Sequence, residues 1–309
     1  MNIKIMKKYL ISLFLFGLFL PTIVLASAAG LGIMPGITEG GEARNIFTLT
    51  LDPGEHYEDS VRVINNGSEP QKLVIFAVDA TMSDDGGFAL KDIVEEQNSV
   101  GTLITLESDK VEAKANGDTE VKFSVDVPES ASPGDYAGGI LISGDNSVTA
   151  VEEAGAAPTT GVTAIIRVGV RVYVTVSGER SFNFVWGGLD GADDYKHTVK
   201  EGDHWFGYSF QNNGNTSIDL SAALELKNFF LFKMDSVNVD LGTLMAGTSS
   251  TPTISFSDPP KIGFVTAKTT VNYATSTQFG QMSDEEIAKY SGSETKMMSF
   301  FVVPVKEML

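Results

Sequence analysis

The sequence holds no cysteine, only three histidines and two tryptophans among its 309 residues, and its 22 basic side chains are outnumbered by 40 acidic ones. Each shortage excludes something. Without cysteine there is no disulfide scaffold, no thiolate metal cluster and no thiol nucleophile. A formal net charge of −18 repels phosphate and argues against a nucleic-acid-binding surface. His56, His197 and His204 are the only imidazoles, and none stands in a ligand pair such as His-Glu-x-x-His. His197 and His204 fall in an acidic, Gly-containing stretch and are expected to be solvated loop residues. There is no Gly-x-Ser-x-Gly elbow and no Gly-x-x-x-x-Gly-Lys-Ser/Thr phosphate loop. No catalytic, cofactor-binding or metal-binding residue is nominated, ligand-binding residues stay unassigned, and the protein is expected not to be an enzyme.

Long apolar runs are scarce as well. Lys4, Lys7 and Lys8 precede one that extends from Tyr9 to Leu20, interrupted by Ser12, and Ala26-Ser27-Ala28-Ala29 follows. A basic start, an apolar centre and a small-residue end make a secretory signal peptide over residues 1–28, cleaved after Ala28 or, second, Ala26. An uncleaved membrane tether is the alternative reading of the same run. Cleavage leaves 19 basic against 40 acidic side chains, a net charge of −21. Phe229-Phe230-Leu231-Phe232 stops at Lys233, so no membrane span is expected in the mature chain. The protein is expected outside the cell or on its surface, held together by packed cores rather than cross-links.

What the sequence does have is alternation at period 2. Phe47, Leu49 and Leu51 alternate with Thr48 and Thr50, Val61 with Val63 across Arg62, and Val121, Phe123, Val125 and Val127 with polar neighbours. Asp52-Pro53-Gly54, Asn65-Asn66-Gly67, Asn116-Gly117 and Ser132-Pro133-Gly134 supply turn chemistry between such runs. The pattern predicts an all-β protein of two tandem immunoglobulin-like antiparallel β-sandwiches, at 29–176 and 177–309. The second half echoes the first: Tyr57 to Asn66 is matched by Phe206 to Asn213, and Thr119 to Pro128 by Thr251 to Pro260. The closing strands are placed at Val162 to Val176 and Met297 to Val305. Polar insertions, Ser143 to Thr160 and Thr275 to Thr295, precede them.

Two acidic loops, Ser83-Asp84-Asp85-Gly86 and Asp190-Gly191-Ala192-Asp193-Asp194, have the oxygen chemistry of calcium ligands but lack the register of a full calcium loop. Ser283-Asp284-Glu285-Glu286 has the spacing of a capping box and predicts one short helix. The aromatics Phe182, Phe184, Trp186, Tyr208 and Phe210 alternate as core residues do.

The order of motifs in the first half is more particular. Leu31-Gly32-Ile33-Met34-Pro35 is followed by Phe47-x-Leu49-x-Leu51-x-Pro53-Gly54 and Val61-x-Val63-x-Asn65-Asn66-Gly67-Ser68. Val74-x-Phe76-x-Val78-Asp79-Ala80 and Pro133-Gly134-Asp135-Tyr136-Ala137-Gly138-Gly139-Ile140 complete it. Over residues 31–176 this order resembles the peptidoglycan-binding domain of the WxL-interacting surface proteins of Gram-positive bacteria. The resemblance implies two immunoglobulin-like domains on the cell exterior. The first is associated with peptidoglycan or another cell-wall glycan, the second with WxL-domain or other surface proteins. It implies no cofactor. The C-terminal transmembrane helix and basic tail usual in that family are not seen in this sequence. The expected function is therefore non-catalytic binding at the cell surface. A structural or assembly component, chaperone-like or filamentous, acting through β-strand edges is the first alternative. A secreted glycan-active enzyme or calcium-binding protein is the second.

Overall fold

Alternation decides which residues face inward, and the strands follow it closely. The structure is a computed structural model that describes residues 30–37, 40–83, 86–144, 167–187, 196–200, 203–228, 233–256, 262–280 and 283–302. Residues 1–28, read above as a signal peptide, Asp84 and Asp85, Asp190 to Asp194, the Phe229 to Phe232 run and nearly all of the Ser143 to Thr160 insertion lie outside the described residues.

The first half forms two facing sheets. One joins β1 (Leu31–Pro35), β3 (His56–Asn65), β8 (Gly117–Asp126) and β6 (Ile104–Leu106), in that order. The other joins β2 (Phe47–Leu51), β10 (Arg167–Val176), β9 (Gly134–Gly144), β4 (Gln71–Met82) and β5 (Phe88–Leu90), with β7 (Lys110–Ala113) beside β4. Phe47, Leu49 and Leu51 point inward and meet Val61, Val63, Phe123, Val125, Ile140 and Val172 in one buried cluster. A short helix, α1 (Val100–Leu103), closes one end.

One pairing departs from the antiparallel expectation: β2 runs parallel to β10, from Phe47 beside Val172 to Leu51 beside Val176. Between β1 and β2 the chain crosses from one sheet to the other and so reaches β10 from its open side. A bidentate clamp holds the crossing. Arg44 donates to both carboxylate oxygens of Asp59, at 2.9 and 3.1 Å, and to the Gly36 carbonyl at 3.1 Å. The Asp59 carboxyl is raised by burial, but Arg44, the Tyr57 hydroxyl and the Ser60 N–H outweigh this and bring it below the usual carboxylate range.

The second half repeats the plan with aromatics at its centre. One sheet runs β16 (Lys233–Leu244), β15 (Ile218–Asn228), β19 (Gly263–Thr275), β20 (Gly292–Val302). The facing layer has two three-stranded parts. The first is β11 (Phe184–Gly187), β14 (Ser209–Asn212) and β17 (Ser249–Ser250); the second is β12 (Lys196–Lys200), β13 (Asp203–Gly207) and β18 (Thr253–Phe256). The Tyr208 N–H donates to the Pro252 carbonyl at 3.0 Å and bridges the two parts. Pro252 has no N–H to return, which is why the ladder breaks there. Trp186, Phe206, Tyr208 and Phe210 are buried with Leu224 and Val271 in a second core.

Two expectations need correcting. His197 and His204 lie not in a loop but in the paired strands β12 and β13, where the Lys196–Lys200 and Asp203–Gly207 runs are long enough to zip together. The closing strand begins at Gly292, five residues earlier than Met297, because it pairs with β19 along nearly its whole length. The segment between them holds a 3₁₀ turn (Thr277–Phe279) and the expected helix, α2 (Asp284–Lys289). Ser283 and Glu286 form both halves of its capping box.

Candidate functional site

The Pro-Gly-Asp-Tyr-Ala-Gly-Gly-Ile element that completes the motif order of the first half is where the first sandwich grips the second half of the chain. Gly134 has φ +143°, and a Cβ there would lie 2.7 Å from the Asn215 carbonyl oxygen. Asp135, its side chain buried, accepts from the Ser217 N–H at 2.7 Å, from the Thr175 hydroxyl at 3.0 Å and from Arg180 at 3.4 Å. Its own N–H donates to the Asn215 carbonyl at 2.8 Å, and the Asn215 amide returns to the Pro133 carbonyl at 2.9 Å. Burial raises the Asp135 carboxyl above its ordinary range, against the opposing pull of Ser217, Arg180 and Thr175. Apolar contact continues the junction: Ala137 and Tyr173 from the first half pack with Met245 and Phe279 from the second. The 3₁₀ turn that carries Phe279 is pinned by Thr48 Oγ1 on the Gln278 carbonyl, at 3.3 Å. The Thr175 hydroxyl also lies 2.7 Å from the Phe279 carbonyl.

Beside this junction opens a cleft of about 450 Å³, lined from both halves. Phe88, Arg171 and Tyr173 come from the first half; Asp240, Thr243, Gln278 and Phe279 come from the second. The size falls within the usual range for ligand pockets, roughly 300–1,000 Å³. Arg171 lies over the Phe88 ring, 4.2 Å from its centroid, and donates to the Tyr173 hydroxyl at 3.3 Å. Tyr173 is itself held by Phe88 and Phe279, with ring centroids 6.0 and 4.7 Å away. Its burial pushes the phenol up, Arg171 opposes this and Asp219 adds to it. The Gln278 amide donates to Thr243 Oγ1 at 2.9 Å, and the Thr243 hydroxyl donates to Asp219. Val239 and Asp240 are shared with a shallower trough on the outer face of β15, β16 and β19, which bears Asp219, Ser221, Asn238 and Asn272. The cleft thus offers aromatic faces, one guanidinium and several amide and hydroxyl groups. It has binding chemistry, and among the described residues no cluster of three or more His, Asp or Glu could hold a metal ion.

Other residues singled out in the sequence lie elsewhere. His56 is exposed on β3, 2.6 Å from Asp126 and 3.3 Å from Glu58, and does not line the cleft. The side chains of His197 and His204 are outside the described residues. Asp79 serves α1: it accepts from the N–H groups of Asn98 (2.6 Å), Ser99 (3.1 Å) and Gly101 (2.8 Å). Sequence reasoning assigned no site residue, and Arg171 carried no signal beyond its place on the polar side of an alternating strand.

Residues 37–144 match a family model described as WxL Interacting Protein, peptidoglycan binding domain. The match spans β2 to β9 of the first sandwich. No curated protein matches the chain. Among solved structures, the Class 5 fimbriae chaperone CfaA is similar at 11% identity, over 89% of this chain and 100% of its own, with a TM-score of 0.39. The CsuC-CsuE chaperone-tip adhesion subunit complex of Acinetobacter baumannii is similar at 10% identity, covering 83% and 95%, with a TM-score of 0.39. The E. coli chaperone DraB reaches 10% identity over 88% and 96%, with a TM-score of 0.33. Likenesses this distant assign neither a partner nor an activity.

Proposed function

We propose that this chain is an exported, non-catalytic cell-surface protein that binds peptidoglycan through its first sandwich and the adjoining cleft. The division into 29–176 and 177–309 and the removal of residues 1–28 belong to the same proposal. The observation that carries it is the match of residues 37–144 to a peptidoglycan-binding family model. The cleft beside that sandwich supports it, because aromatic faces with fixed amides and one cation suit a glycopeptide better than a phosphate polymer. Net charge works against attraction to an anionic wall, although screening beyond about 8–10 Å limits the repulsion at physiological salt. Recognition must then be local. The test is co-sedimentation of the mature protein with purified peptidoglycan sacculi at physiological ionic strength. Retention is expected, and its absence overturns the proposal.

A second reading, partner-protein binding by strand addition, is favoured by β20. It is an edge of its sheet, and among the described residues no strand pairs with its outer side, whereas β2 covers the corresponding side of β10. Met297 and Phe301 stand exposed on it. Unpaired edges with apolar side chains invite strand pairing. Replacing both residues with lysine should abolish capture of a WxL-domain protein while leaving sacculus binding intact. Unchanged capture removes this reading.

A further inference from the structure

We infer that the cleft is a receptor for a carboxylate group and that Arg171 is the residue that binds it. The sequence contains five arginines. Four are neutralised by an aspartate: Arg44 by Asp59 at 2.9 Å, Arg62 by Asp118 at 2.7 Å, Arg167 by Asp92 at 2.7 Å and Arg180 by Asp135 at 3.4 Å. Arg171 is the exception. Among the described residues no carboxylate lies within ion-pair distance of it, in a protein with nearly twice as many acids as bases. The guanidinium is nevertheless held in place, stacked on Phe88 and bonded to the Tyr173 hydroxyl. One of its five N–H donors is used there, which leaves enough of the planar fork to donate to both oxygens of one carboxylate. Because the ring and the phenol already fix the group, little side-chain freedom remains to be lost on binding.

The surroundings set the rest of the ligand. Phe279, Leu241 and Met245 offer apolar contact for short aliphatic groups, and Gln278 and Thr243 offer amide and hydroxyl partners. Asp240 also lines the cleft and disfavours a doubly charged phosphate next to a single guanidinium. The inference rests on the peptidoglycan reading for the identity of the polymer. It narrows that reading to the acidic parts of the polymer, the free carboxylates of its stem peptides or the lactyl carboxylate of muramic acid residues that carry no stem peptide, and away from neutral N-acetylglucosamine.

The test is a calorimetric or NMR titration of the full mature chain with five probes. They are a stem pentapeptide as the free acid, the same peptide with all carboxylates amidated, N-acetylmuramic acid, an N-acetylglucosamine oligomer and a glycerol-phosphate polymer. At least about tenfold tighter binding of an acid probe than of the amidated peptide and the neutral oligomer is expected, and R171Q should erase that preference. The peptide acid and the muramic acid arms tell the two carboxylate sources apart. Equal affinity for acid and amide forms, or no binding of either acid probe, overturns the inference. So does an R171Q variant that keeps the preference, or stronger binding of a glycerol-phosphate polymer. Sacculus co-sedimentation of the same protein separates the failures. Retention without acid preference sinks the carboxylate receptor alone, and no retention sinks the peptidoglycan reading as well.

Discussion

Asn65 and Asn212 occupy the same position in the two halves and make the same three hydrogen bonds. Asn65 Nδ2 donates to the Glu69 carbonyl at 2.8 Å and the Ala113 carbonyl at 3.2 Å, while its Oδ1 accepts from Gly67 N–H at 2.9 Å. Asn212 Nδ2 donates to Thr216 at 2.8 Å and Leu244 at 3.3 Å, and its Oδ1 accepts from Gly214 N–H at 3.0 Å. Ala113 ends β7 and Leu244 ends β16, so each asparagine ties a strand of one sheet to a strand end in the facing sheet. The earlier strand that pairs with each is also in the same register, Leu31 opposite Asn65 and Phe184 opposite Asn212. The repeated plan therefore extends one strand further toward the N-terminus than the matched segments Tyr57 to Asn66 and Phe206 to Asn213.

Either asparagine should be costly to remove. Both are almost fully buried, so alanine would strand one N–H and two carbonyls without water. Asn65→Ala and Asn212→Ala are each expected to lower stability by about 1–3 kcal/mol in urea unfolding. Asn65→Asp should be worse than Ala, because a carboxylate would face two carbonyl oxygens. An aspartate variant as stable as wild type would contradict the assigned amide orientation.

Asp135 should make the junction pH-sensitive. Its carboxyl sits above the usual range in the folded protein, through burial first. A raised folded value means a stability contribution fully present below the unfolded value, about 3.9, and lost as pH rises through the folded one. Asp135→Asn should flatten that part of the stability profile in a pH series of urea titrations. Asp135→Ala leaves the Ser217 N–H and Arg180 without their acceptor and should cost about 1–3 kcal/mol at neutral pH.

His56 should titrate above its ordinary range, since the Asp126 carboxylate, and then Glu58, favour its charged form. The contribution is present below the unfolded value, about 6.5, and fades as pH rises through the folded value. NMR titration of the ring should show the upward displacement, and Asp126→Asn should remove most of it. Its exposure keeps the effect on stability small.

Strand positions and core faces were legible because period-2 alternation is a local property: Phe47, Leu49 and Leu51 declare their inward face without reference to anything else. The capping box of α2 was legible for the same reason. The junction was not. Asp135 looks like a turn residue until Ser217, 82 positions later, donates to it. Arg171 reads as one more polar residue on an alternating strand, and its lack of an acidic partner among the described residues becomes visible only when the other four arginines are seen with theirs. The parallel placement of β2 was hidden too, because alternation fixes a strand's faces and says nothing about its direction.

Gly138 tests whether the Gly-Gly pair in the first half is a binding element or a packing one. A Cβ at Gly138 would fall 2.4 Å from the Val78 carbonyl oxygen and 2.8 Å from the Val100 Cβ. The first contact is backbone in the adjacent strand β4, which cannot rotate away, and the second is the buried first residue of α1. Relief requires β4 and β9 to separate or α1 to lift from the core. Gly138→Ala should therefore cost at least about 1–3 kcal/mol, the usual range for overpacking. Because Asp79 holds α1 through its N–H groups, the same variant should speed hydrogen exchange at Ser99 and Gly101. Retained stability together with lost sacculus binding would instead mark the glycine as part of the ligand surface.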